Sequence, residues 1–285
     1  MKKYNLIYGI FISVLLLNSG CESDANVTVP STERKLVVGG FLSAEDNEHQ
    51  ISLTLSEPLF SSDPFFNTTT ANVTISSEGN AYQASYDVDA AAFVFNKSQF
   101  NIASGKNYHL KIVAENGKTV EADMTTVSDT MPSIEEFKIN VDTIYSEWAS
   151  YEYRYNLKLN WKDIAGEKNY YRLTANRLVK YFGAIDTTIE PIEEFNSFTL
   201  KDDLGKDGQI LSSTLKFDDY SLNNETVGFE IVLMKIDVNY YNYYKTLNNY
   251  AGEDPFAEPV ILFSNIQNGL GVFSNFQSIK IRRIL

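Results

Sequence analysis

Few side chains in this sequence have sharp chemistry. There is one cysteine, Cys21, and there are two histidines, His49 and His109. A thiol is a nucleophile or an acyl acceptor, and an imidazole is a proton carrier or a metal ligand. The histidines have no cysteine partner and no His-x-x-x-His spacing, so no transition-metal site is expected. His49 reads as part of a polar loop, and His109 as a water-facing position on a strand. A Ser-His-Asp arrangement needs a positioned serine, and no Gly-x-Ser-x-Gly turn offers one. The run from Asp202 to Gly208 invites a calcium reading. Asp203, Asp207 and Gly208 fall at loop positions 1, 5 and 6 of a calcium-loop pattern, but Gly205 fills position 3 and Thr214 stands where a bidentate Glu belongs. A plain acidic turn is the expectation. Paired carboxylates for glycoside hydrolysis depend on spacing in three dimensions. No catalytic, cofactor-binding or metal-binding residue is therefore assigned, and the chain is not expected to be an enzyme.

Cys21 gains its meaning from what precedes it. Lys2 and Lys3 lead into an apolar run from Leu6 to Leu17, followed by Asn18-Ser19-Gly20. That is a charged n-region, an h-region and a small-residue cleavage site, the pattern of an export signal over residues 1–20. The apolar run is shorter than the roughly 20 residues of a membrane span. A cysteine directly after the small residues is similar to a bacterial lipobox, in which the sulfur takes a diacylglycerol and the freed amine a further acyl chain. Asn18 stands where that pattern usually has Leu. Plain cleavage after Gly20 would leave a free, reactive thiol; lipidation removes it, and two or more chains anchor stably. Palmitate on Cys21 is the expected modification.

The chain carries 37 acidic against 24 basic residues, a formal net charge of −13, and loses two lysines with the signal. It has no basic run. Nucleic acid is an unsuitable partner, because phosphate binding needs clustered Lys and Arg. With a single cysteine no intramolecular disulfide can form, so stability must come from packed cores.

The elements that position these residues read as strands. Residues 21–34 have no periodicity and form a flexible tether. Leu36-Val37-Val38 and Phe41-Leu42 flank Gly39-Gly40, where a bulge or bend is expected. Ile51, Leu53 and Leu55 alternate with polar residues, as do Tyr82, Ala84 and Tyr86, and Tyr108, Leu110, Ile112 and Ala114. Glu78-Gly79-Asn80 is a turn. Asn116-Gly117 predicts a type I′ hairpin. Gly105-Lys106-Asn107-Tyr108 is similar to the tyrosine corner of immunoglobulin-like sandwiches. The pattern predicts one such sandwich over residues 35–128 and a linker at Asp129-Thr130-Met131-Pro132. A second β-rich, fibronectin-like domain follows over residues 133–285. It has strict alternation from Tyr151 to Trp161, an inserted acidic excursion from Ala184 to Asp219, a strand ending at Ile236, and a final strand with Ile279, Ile281 and Ile284. Between them Tyr240, Tyr244 and Leu247 switch to a helical period, with Gly252 expected at C′. The fold class is therefore mainly all-β: two immunoglobulin/fibronectin-like β-sandwiches, the second with one short Tyr-rich helix.

Several landmarks, taken together and in order, resemble one family. They are the cysteine after the signal, Lys35 to Gly40, Gly105 to Leu110, Asn169-Tyr170-Tyr171, Tyr240 to Tyr244, Ser264-Asn265-Ile266 and Asn268 to Phe273. The chain resembles the Bacteroidota outer-membrane lipoproteins that carry the domain of unknown function 4249. The resemblance implies an outer-membrane, surface-facing protein similar in setting to the partner lipoproteins of TonB-dependent transporters. The expected function is a non-enzymatic accessory or ligand-capture subunit for such a transporter. The alternative is a stand-alone carbohydrate-binding or adhesive module.

The aromatics at Trp148, Tyr151 and Tyr240 to Tyr244 read as core on their periodicity. Phe65 and Phe66 sit in a loop that gives them no such explanation, and they are the candidate partner contact. Changing both to Ser is expected to weaken co-purification with a membrane partner while leaving the fold intact; unchanged co-purification would count against that contact.

Overall fold

The computed structural model describes residues 33–57, 68–144, 152–181, 186–191, 198–219, 224–250 and 260–285. Cys21, Phe65, Phe66, Trp148, Tyr151 and Gly252 lie outside them. From Arg34 on, these residues fall in one compact unit. The expected mainly β, sandwich-like fold with one helix is what the chain adopts.

Alternation builds the first core. Strands β1 (Leu36–Leu42), β2 (Glu48–Leu55) and β5 (Ala92–Asn96) form one wall. Strands β3 (Ala71–Ser77), β6 (Asn107–Ala114) and β7 (Thr119–Thr125) form the other. Strand β4 (Asn80–Asp87) serves both: Ala81 to Ala84 pair with β3, and Ser85 to Asp87 with β5. The apolar alternate residues Ile51, Leu53, Val73, Ile75, Phe95, Leu110 and Ile112 meet between the walls. Burial of such side chains contributes about 1.5–3 kcal/mol each. Tyr108 forms the expected corner: its hydroxyl accepts from Ala103 N–H at 2.6 Å and donates to the Asn101 carbonyl at 3.2 Å.

The second core follows the same rule. Strands β8 (Ser133–Ile144), β9 (Glu152–Lys162) and β13 (Ile210–Asp219) make a three-stranded sheet in the order β13-β9-β8. It faces β10 (Tyr170–Tyr181) and β14 (Asn224–Ile236), with β11 (Thr188–Pro191) and β12 (Phe198–Asp202) on the outer edge of β10. Leu157, Leu159 and Trp161 from one sheet meet Tyr171, Leu173, Phe229 and Ile231 from the other.

Strand β15 (Leu270–Ile284) joins the two. Its first part, Leu270 to Asn275, runs parallel to β1; its second part, Phe276 to Ile284, runs antiparallel to β14. The boundary expected at residue 133 assigns everything after it to the second domain. Ile266 and Phe273 instead belong to the first core.

Four local expectations are corrected. Gly39 and Gly40 mark no bulge, since β1 pairs with β2 in unbroken register. They make room: a Cβ on Gly39 would stand 2.5 Å from Ser52 Oγ, and one on Gly40 3.1 Å from the Phe273 ring. The turn at Asn116-Gly117 is not type I′. Of the two only Gly117 has positive φ (81°), and bonds from Ala114 N–H to Lys118 O and from Gly117 N–H to Ala114 O close a three-residue loop. A loop of that length takes a type I turn with a glycine bulge. The two-residue turn with both φ values positive is Glu78-Gly79, at 49° and 81°. The helix α1 (Val238–Asn248) ends at Asn249, before Gly252.

His49 is the fourth. It is not in a loop but on β2, 2% exposed, continuing the inward face of Ile51 and Leu53. Its ring lies 4.8 Å from that of Phe95, and neither nitrogen has a hydrogen-bond partner. Burial, and secondarily the charge of Lys97, pushes its pKa down to about 4. A base depressed in the folded state favours folding only while neutral, so stability is lost as pH falls from 6.5 toward 4. His49→Leu removes an unpartnered buried polar group and is expected to stabilise the fold by about 1–3 kcal/mol. The gain should be larger at pH 5 than at pH 7.5. Denaturant midpoints at the two pH values check it, and equal gains would refute the linkage.

Candidate functional site

Among the described residues, one of several open clefts, of about 660 Å³, lies on the outer face of the first sandwich. Its floor is a cross-strand row. Ser76 on β3 pairs with His109 on β6, and His109 with Asp123 on β7. Paired residues in a sheet point to one face, so three polar side chains stand in line. His109 Nδ1 lies 2.8 Å from Asp123 Oδ1, with both side chains open to water. Ser76 Oγ donates to the main-chain carbonyl of His109 at 3.4 Å, so its hydroxyl is directed to backbone rather than to the imidazole. The rim is Glu78, set by the tight β3–β4 turn, with Asn107 and Thr125 bonded side chain to side chain at 2.7 Å. The start of α1, at Asp237, Val238 and Asn239, closes one end. The lining holds carboxylates, hydroxyls and amides beside the apolar Ala81, Met124 and Val238, and Lys106 stands just outside it, 2.6 Å from Glu78. It can hydrogen-bond a neutral or cationic polar ligand and is unsuited to phosphate.

Asp237 is the most constrained group at this site. It caps α1 by accepting Tyr240 N–H at 2.8 Å, and it accepts Asn275 N–H at 3.0 Å. It is 7% exposed. Burial pushes its carboxyl up to about 7 in spite of the backbone N–H groups that favour the ionised form.

The tyrosine run is not part of this cleft. Tyr240 and Tyr241 are buried. Tyr240 packs on Phe41 and Tyr244, both at 4.9 Å between centroids. The Arg172 guanidinium lies 4.4 Å from the Tyr244 ring and 4.5 Å from Phe198, and donates to Tyr240 Oη at 2.7 Å. Cation–π contacts of this kind contribute about 0.5–2 kcal/mol, more where water is excluded. Of the acidic run, Asp203 is buried and Asp207 exposed, and the fold brings Asp163 to them from the preceding loop. Sequence reading passed over Asp163 because it is distant in the chain.

Asp237→Asn keeps an acceptor for the Tyr240 N–H and removes the titration. A carboxyl raised in the folded state binds its proton more tightly there than in the unfolded chain, so its contribution falls as pH rises from 4 to 7 and is flat above. The variant is therefore expected to gain on the wild type between pH 5 and pH 8 in denaturant midpoints. A constant difference would refute the assignment.

No curated protein matches the chain. A family model does, over residues 22–282, nearly all of the sequence. On the strength of that match the chain belongs to the family described as domain of unknown function DUF4249.

Proposed function

We propose that this protein is an outer-membrane lipoprotein of the Bacteroidota type, held by acyl chains on Cys21, that faces the cell surface. It acts as a non-enzymatic accessory or ligand-capture subunit beside a TonB-dependent transporter. The observation that carries the reading is the order Lys2-Lys3, apolar run, Asn18-Ser19-Gly20, Cys21, with the family match starting at residue 22. No described helix is long and apolar enough to cross a membrane, and in this reading attachment falls to the lipid. The acidic surface supports an exposed, soluble body rather than one lying on anionic headgroups.

The cleft beside His109 favours ligand capture over a purely architectural role, because it holds polar side chains, His109 and Asp123 among them, open to water. A polyhydroxylated ligand suits such a lining, which keeps the carbohydrate-binding module as a second reading.

The test is the native N-terminus and what travels with it. Mass spectrometry should find Cys21 as the first residue, bearing diacylglycerol and an amide-linked chain. Mild detergent extraction should bring down a large β-barrel protein. An unmodified thiol at Cys21, or protein released into the medium, would refute the anchor. Acylated protein that comes down alone but binds glycans would favour the second reading.

A further inference from the structure

Two loops lie against each other at one end of the second sandwich. One joins β9 to β10 and runs from Asp163 to Asn169; the other joins β12 to β13 and runs from Asp203 to Gln209. Asp163 N–H donates to the Gln209 carbonyl at 2.9 Å, and a Cβ on Gly208 would stand 2.8 Å from that of Ala165. Carboxylate oxygens of Asp163, Asp203 and Asp207 converge within 4.8 Å of one another in this seam. Asp163 is 4% exposed and Asp203 6%. Among the described residues no Lys, Arg or His forms an ion pair with any of the three. Their hydrogen-bond partners are neutral, and Lys168 acts on Asp203 only through space. Tyr171 Oη and Gly208 N–H donate to Asp163 at 2.6 and 2.9 Å, Asn169 N–H to Asp203 Oδ2 at 2.8 Å, and Gly166 N–H to Asp207 Oδ1 at 2.8 Å. One oxygen of Asp203 and one of Asp207 accept no hydrogen bond among the described residues.

Asn169 supplies an observation of a different kind. It is 1% exposed, and its Oδ1 is buried without a hydrogen-bond partner. Its Nδ2 spends both hydrogens on the carbonyls of Ile164 and Glu167, at 2.8 and 3.0 Å, in its own loop. Its main-chain N–H is on Asp203. The amide oxygen is thus left without a donor on a residue whose own main-chain N–H is held by Asp203. A buried carbonyl oxygen without a donor is costly, as are three like charges drawn together with two of them out of water. A single cation resolves both.

We propose that Asp163, Asn169, Asp203 and Asp207 bind one calcium ion. The donors are all oxygen, which suits a hard cation rather than zinc or copper. Calcium accepts six to eight oxygens at about 2.3–2.6 Å in flexible geometry, and takes the remainder from water. The frame is not a single continuous loop. The gap that Gly205 leaves at position 3, and Thr214 at position 12, is filled from the β9–β10 loop. The ion would tie that loop to the β12–β13 loop.

The experiment uses the mature chain, stripped with a chelator and desalted, with calcium chloride as the probe. Calorimetry should show one saturable site per chain, and the thermal midpoint should rise with calcium. Terbium should bind in its place and emit on tyrosine excitation, because Tyr171 Oη touches Asp163, and calcium should quench that emission by displacement. Asp207→Asn, at an exposed position, should weaken binding at least tenfold while its midpoint in chelator matches the wild type. The proposal is overturned by the lack of heat or midpoint shift up to about 10 mM calcium, beyond the about 10⁻⁴–10⁻³ M range of extracellular calcium modules. It is also overturned by Asp207→Asn binding as tightly as wild type, or by magnesium binding as well as calcium.

Discussion

Asn275 spends every polar group it has inside the protein. It is 1% exposed. Its N–H donates to Asp237 Oδ2 and its carbonyl accepts from Asp237 N–H, at 3.0 and 3.1 Å. Its Nδ2 donates to the Leu42 carbonyl at 2.7 Å, and its Oδ1 accepts Val127 N–H at 3.0 Å. One side chain and its backbone thus hold the end of β1, the start of the connector after β7, and the N-cap of α1. Each of those groups would be buried and unsatisfied without it, at about 1–3 kcal/mol apiece. The residue sits where β15 leaves β1 and turns to β14, so the two cores share a strand at the point where it is most tightly bonded.

The connector is fastened from the same strands. Gln277 donates to Ser104 Oγ at 2.6 Å and Asp129 at 3.2 Å. Lys235, 4% exposed, reaches Ser128 Oγ, the Thr130 carbonyl and Glu167 at 2.7, 3.1 and 2.7 Å. A buried ammonium is tolerable only with such a full set of partners. Val127 to Thr130, which run into the linker expected at Asp129 to Pro132, are therefore bonded structure. Pro132 and the polar residues around it break strand periodicity, and that break does not distinguish a free hinge from a strap with its partners elsewhere in the chain.

This separates what sequence could reveal from what it could not. Alternation at Ile51-Leu53-Leu55 and from Tyr155 to Trp161 shows which face is buried, and the cores follow. The Tyr108 corner was legible because its partners lie within seven residues. Alternation does not name a strand's neighbour. Ile279 and Ile281 mark β15 as a strand but say nothing of its parallel pairing with β1. His49 was legible in principle, two residues before Ile51 on the same face, but a polar type masked its position. The seam around Asp163 and Asp203, and the row Ser76-His109-Asp123, exist only after pairing. No local pattern encodes them.

The landmarks that carry the family resemblance acquire a physical meaning here. Gly39 and Gly40 face Val272 and Phe273 across the parallel pairing. Gly271 has φ of 107°, and a Cβ there would stand 1.9 Å from the Val38 carbonyl oxygen. Asn265 receives Phe273 N–H and donates to its carbonyl, at 2.9 and 2.8 Å, imitating a strand edge. Asn169 closes a loop, and Tyr240 packs the helix on the joint. All of these seat β15, a loop or α1. Packing dictates residue type at these joints and leaves it open on the outer face of β3, β6 and β7. A fold does not name a function, and membership in a family of unknown function speaks to how this protein is built and assigns it no activity.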